Sequence, residues 1–446
     1  MGIKNLYILL VFLLHPLYSS DIQLIKKGEN GQNGTLLVIG GIHGDEDGAY
    51  FAASILATNY DIKSKSVWIV PNLNKDSITK GSRGINGDMN RKFAFIEPND
   101  KDEEIVSGIK DIILDKQVSL VLNLHDGHGF YRKTNDDILY NPRAWGQSCV
   151  IDQCKLPEDH EFGDMGDIAE FVTNQVNQKL LQKHHSFNVK NTKTKINDKD
   201  MQQSLTFFAA THNKPAFAIE SSKNLSKLSQ KVYYHLLAVE EFMGIMNISY
   251  TKNFELNEDE ITKIIKNYGN LSINDNFVID LTNIKKTLSY VPIKLNGNEF
   301  KFTHPLGSVL KNGVGYDIYI GNIRVLYIRP QYFKLKEICD NHFEAEVDGE
   351  IKKFDINSDI YVNESFKIIK RGDYRVNLIG FVSPDSVDES DILVRYEDFE
   401  KRFSIDRDDR IYRVEFYKND DFCSMAKVHF NLGIKEDEKK GTKLLY

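Results

Sequence analysis

The stretch "LLVIGGIHGDEDGAY", residues 36–50, runs from an apolar strand into a glycine pair and then sets His43 three residues before Glu46. An apolar run without polar alternation is the pattern of a strand buried on both faces of a sheet. Side chains three apart at the start of a helix converge on one side of it. Two readings follow: a capped helix with a hydrogen-bonded histidine, or two ligands of a metal. Zinc accepts imidazole nitrogen and carboxylate oxygen, and a catalytic zinc has three protein ligands and one open position. The second reading therefore requires a third ligand elsewhere in the chain.

Outward from this stretch, the same punctuation recurs. Between residue 22 and about 250, short apolar strands alternate with helices: a helix over about 46–59, the strand "SVWIVPNL" (66–73), a helix over 103–114, then the strands "SLVLNLHDG" (119–127) and "PAFAIESS" (215–222). A last amphipathic helix carries Leu225, Leu228, Val232, Leu236, Val239 and Met243 at three- and four-residue steps. The polar "ENGQNG" between "QLIKKG" and "TLLVIGG" reads as a hairpin turn. This is an α/β domain with a mixed, mostly parallel sheet covered by helices. Beyond Tyr250 the pattern changes. Asn257 and Glu260 form a capping box for one short helix. Asn296–Gly297, Gly321–Asn322 and Asp348–Gly349 then mark hairpins between alternating runs. This all-β region is large enough to divide, near Asn341. The expected organisation is a leader at 1–20, the α/β domain at 21–250, a β-rich domain at 251–340 and a second all-β domain at 341–446.

The leader is read from Lys4, the apolar run Leu6–Leu14 and the small residues Ser19 and Ser20, the layout of a secretory signal peptide. Its apolar core is too short to span a bilayer comfortably, and no other stretch approaches the ~18 apolar residues of a transmembrane helix, so no stable membrane insertion is expected after its removal. A net charge of −7 over 446 residues gives no basic footprint and argues against nucleic acid as a partner. Of four cysteines, Cys149 and Cys154 are close enough for a local disulfide in an oxidising compartment, with two free thiols as the alternative.

His125 is the best third ligand, because it ends the strand "LVLNLH" and projects at the same sheet edge as His43 and Glu46. Ligands of open α/β sheets gather outside the carboxyl ends of the strands. The glycine-rich "GSRGINGDMNRKF" carries Arg83, Asn90 and Arg91. Guanidiniums grip carboxylates through paired, charge-assisted hydrogen bonds, so this loop is a candidate for binding an acidic group and not only a solvated basic loop. Glu220 ends the strand "PAFAIE", where a carboxylate beside a metal can take a proton from water and pass it on.

"GGIHGDE", then "DMNRKF", then a strand-end histidine and a strand-end glutamate resemble the zinc carboxypeptidase family over roughly residues 22–250. The resemblance implies one zinc ion held by His43, Glu46 and His125. It implies Asn90 and Arg91 on the substrate's terminal carboxylate, Arg83 on the scissile carbonyl and Glu220 as general base. Many members carry a tyrosine before the catalytic glutamate, but none occurs here between Tyr140 and Glu220, so the digestive specificities are not implied. The export signal and β-rich extension are similar to the cell-shape-determining DL-carboxypeptidases of helical Gram-negative bacteria, whose β domains are barrel-like and immunoglobulin-like. That similarity implies a periplasmic enzyme acting on peptidoglycan muropeptides. It would hydrolyse the γ-D-Glu–diaminopimelate amide of L-Ala-γ-D-Glu-meso-diaminopimelate and leave a dipeptide. Asp126 is expected to meet the zwitterionic end of diaminopimelate. Trp145 and Thr206 are expected to touch substrate by their positions, and His128 to stand just outside the ligands. The β domains are open to protein partners. Three other readings share these residues: an N-acyl-amino-acid deacylase of the aspartoacylase or succinylglutamate desuccinylase type, a muropeptide endopeptidase or amidase, and a non-catalytic wall-binding protein.

Overall fold

The computed structural model describes residues 22–29, 34–335, 339–383 and 386–431. The expected leader at 1–20 lies outside the described residues. The chain forms two compact units, one running to Ser77 and over Ser82–Asn253, the other comprising Ile78–Gly81 and the chain from Phe254 onward.

The first unit is built on a seven-stranded sheet: β1 (Ile25–Gly28), β2 (Thr35–Ile39), β3 (Ser66–Val70), β4 (Val118–Gly127), β5 (Ser148–Ile151), β6 (Asn188–Asn191) and β7 (Ala216–Ser222). Its order is β1-β3-β2-β4-β7-β5-β6. The central four, β3-β2-β4-β7, are parallel, whereas β1 and β5 pair antiparallel to β3 and β7. Leu36, Leu37, Val38 and Ile39 are all fully buried, which is why β2 shows no alternation. On one face Leu37, Ile39 and Val121 pack against Val106 and Ile109 of α2 (Glu103–Leu114) and Leu205 of α4 (Leu205–Thr211). On the other, α1 (Asp47–Asn59) packs against α5 (Leu228–Ile245), and Phe217 of β7 meets Phe242 of α5 at 4.8 Å. Helix α3 (Met165–Asn177) also packs on α5. Leu225 is buried but lies ahead of α5, not within it.

The chain leaves β2 for β3 on one side, then crosses to β4 on the other. This switch of direction opens a crevice at the carboxyl ends of β2 and β4. His43 and His125 stand at that edge.

The expected hairpin of β1 with β2 does not form. β1 pairs with β3 (Lys26 with Trp68), and β2 is inserted between β3 and β4. The ammonium of Lys26 lies 3.6 Å from the centroid of the Trp68 ring, a contact available only on the β3 edge. Cys149 and Cys154 are also unpaired: Cys149 is buried on β5, and Cys154 is exposed beyond the strand. The extended backbone of β5 carries the two thiols apart.

The second unit opens with α6 (Glu258–Lys266), whose N-cap Asn257 accepts from the Glu260 amide as the capping pattern predicts. Its first strands are β8 (Asn270–Ile273), β9 (Phe277–Asp280), β10 (Thr287–Ile293), β11 (Phe300–Phe302), β12 (Gly307–Asn312), β13 (Gly315–Ile320) and β14 (Ile323–Tyr332). They form the sheets β9-β8-β11 and β10-β14-β13-β12. Gly321–Asn322 turns β13 into β14, as expected. Asn296–Gly297 does not make a hairpin, because β10 pairs in parallel with β14 while β11 pairs with β8.

The remaining strands are β15 (His342–Val347), β16 (Glu350–Asp355), β17 (Asp359–Val362), β18 (Phe366–Ile368), β19 (Tyr374–Leu378), β20 (Ile411–Lys418) and β21 (Asp421–Phe430). Asp348–Gly349 closes the β15–β16 hairpin. The sheets β16-β15-β18 and β17-β21-β20-β19 share one apolar core that includes Phe343, Phe366, Val376, Tyr412 and Val428. The disulfide is Cys339–Cys423, spanning 84 residues and tying the approach to β15 to β21.

Candidate active site

His43 follows β2 through a turn in which Gly41 takes a left-handed φ of 74°. Glu46 is the N-cap of α1, yet its side chain makes no capping bond. That task falls to Asp126, whose Oδ2 accepts from the Gly48 amide at 2.8 Å. A Cβ on Gly48 would lie 2.6 Å from Asp126 Oδ1, so glycine is required there. Relieved of capping, the Glu46 carboxylate turns to the histidines: Oε1 is 2.9 Å from His43 Nδ1 and Oε2 is 2.8 Å from His125 Nδ1. One ligand atom from each of His43, Glu46 and His125 lies within 4.8 Å of the others, and all three residues are buried.

The outer nitrogens are held as well. His43 Nε2 donates to Asp88 Oδ1 at 2.8 Å, and His125 Nε2 lies 2.8 Å from Asn123 Nδ2. Such outer partners fix the rings of metal-binding histidines. Asn123 Oδ1 is buried and has no hydrogen-bond partner among the described residues. A half-turn of that amide would bring the oxygen onto His125 Nε2–H, the tautomer that frees Nδ1 for a metal. An imidazole–carboxylate–imidazole set with one side open suits a divalent metal of the zinc type.

Burial would lower the pKa of His43, but Glu46 and Asp88 outweigh it and raise it to about 9. Burial works against ionisation of Glu46, yet His43 and His125 hold its carboxyl well below the usual range. His125 is lowered by burial. The cluster thus carries positive charge between carboxylates, a balance that a metal cation would replace as protons leave.

Glu220 lies beside His125 in register across β7 and β4. Burial, then the charge of Glu46, pushes its pKa well above the usual range. A Cβ on Gly127 would lie 2.8 Å from Glu220 Oε2 and 2.5 Å from Trp145 Cβ, so the glycine leaves room for both. Arg83 donates to Glu46 Oε1 (3.1 Å) and to Asp88 Oδ2 (3.0 Å). Asn90 Oδ1 accepts from the Leu205 amide at 2.9 Å, which leaves its Nδ2 as the donor for a ligand. Arg91 is anchored by the Asn90 carbonyl and Met201 Sδ.

A cleft of about 160 Å³ is lined by His43, Glu46, His125, Arg83, Asn90, Arg91, Glu220, Trp145 and Thr206, with His128 also on its wall. Asp126 lines the same cleft, and its carboxylate is engaged by neighbouring elements. It is wholly buried, with Oδ2 accepting from the Gly48 amide and Oδ1 3.0 Å from His235 Nε2, so its carboxylate ties α1 to α5. Alternation along β4 explains this, since His125 and Asp126 point to opposite faces. Sequence reasoning missed Asp88, Asn123 and Lys223. Asp88 stands inside the quoted "DMNRKF", two residues before Asn90, so its motif was visible although its role was not. Lys223 lines the cleft and donates to Asp45 Oδ2 at 2.6 Å.

The family described as "carboxypeptidase controlling helical cell shape catalytic" matches residues 3–266, and "C-terminal domain of metallo-carboxypeptidase" matches residues 337–431. No curated protein matches the chain. Among solved structures, the apo form of cell shape determinant protein Csd4 from Helicobacter pylori is 33% identical, over 92% of this chain and 100% of that chain, with a TM-score of 0.87. The mDAP-bound form of Helicobacter pylori Csd4, described as a D,L-carboxypeptidase, is 32% identical over 91% and 100%, with a TM-score of 0.87. Its tripeptide-bound form is 33% identical over 92% and 100%, with a TM-score of 0.86.

Proposed function

The chain belongs to the family of carboxypeptidases controlling helical cell shape and is a metallo-carboxypeptidase, and from that premise we propose that it removes meso-diaminopimelate from the peptidoglycan tripeptide L-Ala-γ-D-Glu-meso-diaminopimelate. The observation that carries this reading is the convergence of the His43–Glu46–His125 cluster, the Asn90–Arg91 pair and Glu220 on one cleft. The Helicobacter pylori protein bound to mDAP and to tripeptide supports the substrate class.

His43, Glu46 and His125 would hold one zinc ion, which supplies Lewis acidity for attack on an amide. Asn90 Nδ2 and the Arg91 guanidinium receive the terminal carboxylate, and this selects a chain end over an internal bond. Beside a cation held by the neighbouring ligands, Glu220 favours its ionised form, and its carboxylate takes a proton from the attacking water and returns it to the departing amine nitrogen. Arg83 turns its guanidinium from Glu46 to the carbonyl oxygen as negative charge develops there. Trp145 and Thr206 form the wall against which the substrate is oriented. Export to the periplasm belongs to the same reading and is supported by the N-terminal sequence. So do the two β modules: the paired sheets over the Phe343–Phe366 core support an immunoglobulin-like sandwich, preceded by a barrel-like module.

The test is incubation of zinc-loaded protein lacking residues 1–20 with mixed tripeptide and tetrapeptide muropeptides, followed by mass spectrometry. Conversion of tripeptide to dipeptide with release of diaminopimelate, absent with Glu220→Gln, is the expected result. An unchanged mixture from protein shown to hold zinc would overturn the substrate assignment and leave the metal site standing.

A further inference from the structure

Lys190 lies on the edge strand β6 and was singled out by nothing in the sequence. It pairs in register with Val150 of β5, which pairs in turn with Ala218 of β7. Residues in register on neighbouring strands share a face of the sheet, and Val150 and Ala218 line the cleft. Lys190 is therefore on the cleft side of the sheet, but it does not line the cleft. Its ammonium donates to the carbonyls of Pro142 and Ala144, both at 2.9 Å, and lies 4.6 Å from the Tyr131 ring and 4.5 Å from the Trp145 ring.

Two carbonyl oxygens and two ring faces all favour a cation. Burial draws the group down to about 8, opposed by the carboxylate of Glu220. It remains mostly charged at neutral pH. The backbone at Trp145 is fixed separately, by its amide on His128 O at 2.9 Å and by Ser148 Oγ on its carbonyl at 2.6 Å. Among the described residues, the cation seated on the indole ring is Lys190. Trp145 forms part of the cleft wall, so whatever sets this ring sets the shape the substrate meets.

We propose that Lys190 is a positioning residue, clamping the 142–145 segment and holding the Trp145 ring as a fixed wall of the substrate cleft. Lys190 acts through Trp145 and does not touch substrate. Its loss would let the ring leave its seat, so binding would weaken while the reacting groups stay in place. The substrate side of this inference rests on the carboxypeptidase reading; the clamp itself does not.

The experiment uses protein labelled with 5-fluorotryptophan. The chain has two tryptophans, Trp68 and Trp145, so fluorine NMR gives two resonances, assigned with Trp145→Phe. In Lys190→Met, the Trp145 resonance should shift and broaden while that of Trp68 stays. KM for the tripeptide should rise about 10-fold with kcat within about 2-fold, a loss of binding shared by the ground and transition states. Lys190→Arg, which keeps the cation, should restore most of both. In a Trp145→Ala background, Lys190→Met should add little to KM. An unmoved Trp145 resonance in folded Lys190→Met, or a fall in kcat at unchanged KM, would overturn the clamp. If the wild type fails to cleave tripeptide, the substrate assignment fails, and the fluorine spectrum still decides the clamp.

Discussion

Both units of this protein bury charge, and they do so to different ends. In the first, His43, Glu46, His125 and Glu220 are each less than 10% exposed and converge on one cleft at the carboxyl edge of a parallel sheet. In the second, Arg413, Glu415, Asp406 and Lys427 are as deeply buried, yet they close on the surrounding backbone and on each other. Arg413 donates to the carbonyls of Ser289 (3.0 Å) and Tyr290 (3.2 Å), Lys427 to that of Val278 (2.8 Å), and the Tyr417 hydroxyl to Glu415 Oε2 (2.6 Å). Burial of charge is therefore no mark of a site by itself. The mark is several buried groups facing one cleft, with one of them, Glu220, accepting no hydrogen bond among the described residues.

The contrast is broken most sharply by exchanging what each region is expected to lose. Glu220→Gln should lower kcat/KM about 10²–10⁴-fold, the usual range for a general base. The same change should leave thermal stability equal or higher, because a buried carboxylate that accepts no hydrogen bond among the described residues is costly to the fold. Arg413→Met should do the reverse. Breaking a buried pair costs about 3–5 kcal/mol, so urea unfolding should show that loss. Zinc content and kcat, measured at a temperature where the variant is folded, should be unchanged. If Arg413→Met removes activity from folded protein, the division of labour drawn here is wrong.

Much of the first region was legible because its signals are local and chemical. A buried strand has a recognisable composition, and a histidine and glutamate at its end keep their meaning wherever the strand goes. Pairing partners were not legible. The turn "ENGQNG" suits a hairpin, but β1 pairs with β3 because the edge of the sheet, set by β2 and β4, offers it there. Asn296–Gly297 misleads in the same way. Cys339 and Cys423 are 84 residues apart, and nothing at either position announces the other. Asp126 reads as a cleft residue by adjacency to His125 and does line the cleft, but the bonds of its carboxylate to Gly48 and His235 are set by strand alternation and folding. Lys190 carries no motif at all; its meaning comes from four groups that only folding brings to it.

A second difference concerns pH. Burial lowers His304 in the second unit to about 4, and its Nδ1 accepts from the Leu306 amide at 3.1 Å. The folded state therefore binds its proton less readily than the unfolded chain, whose histidine titrates near 6.5. The stabilisation is full above about 6.5 and is lost as pH falls toward 4, by about 3 kcal/mol in all. Urea titrations across that window should show a steeper decline for wild type than for His304→Asn, whose amide oxygen can still accept from Leu306. Equal slopes would remove His304 from the account.

The smallest effect is the most discriminating, because it compares the same local motif in both regions. Asp88 accepts from the Asn90 amide at 2.9 Å, and Asp406 from the Asp408 amide at 3.2 Å, each a carboxylate bonded to the backbone two residues on. Asp406 spends its other oxygen on the amides of Arg410 and Ile411, so its work is done within its own loop. Asp88 turns outward, to His43 Nε2 at 2.8 Å and Arg83 Nε at 3.0 Å. Asp88→Asn keeps the turn but weakens the hold on His43, and loss of such a partner typically costs 10–100-fold in metal affinity. Chelator competition should show that loss for Asp88→Asn and none for Asp406→Asn, whose deficit should appear only as reduced stability. Equal metal affinities in the two variants would mean that His43 is oriented by its backbone alone, and the contrast between the regions would then rest on the cleft and not on the carboxylates around it.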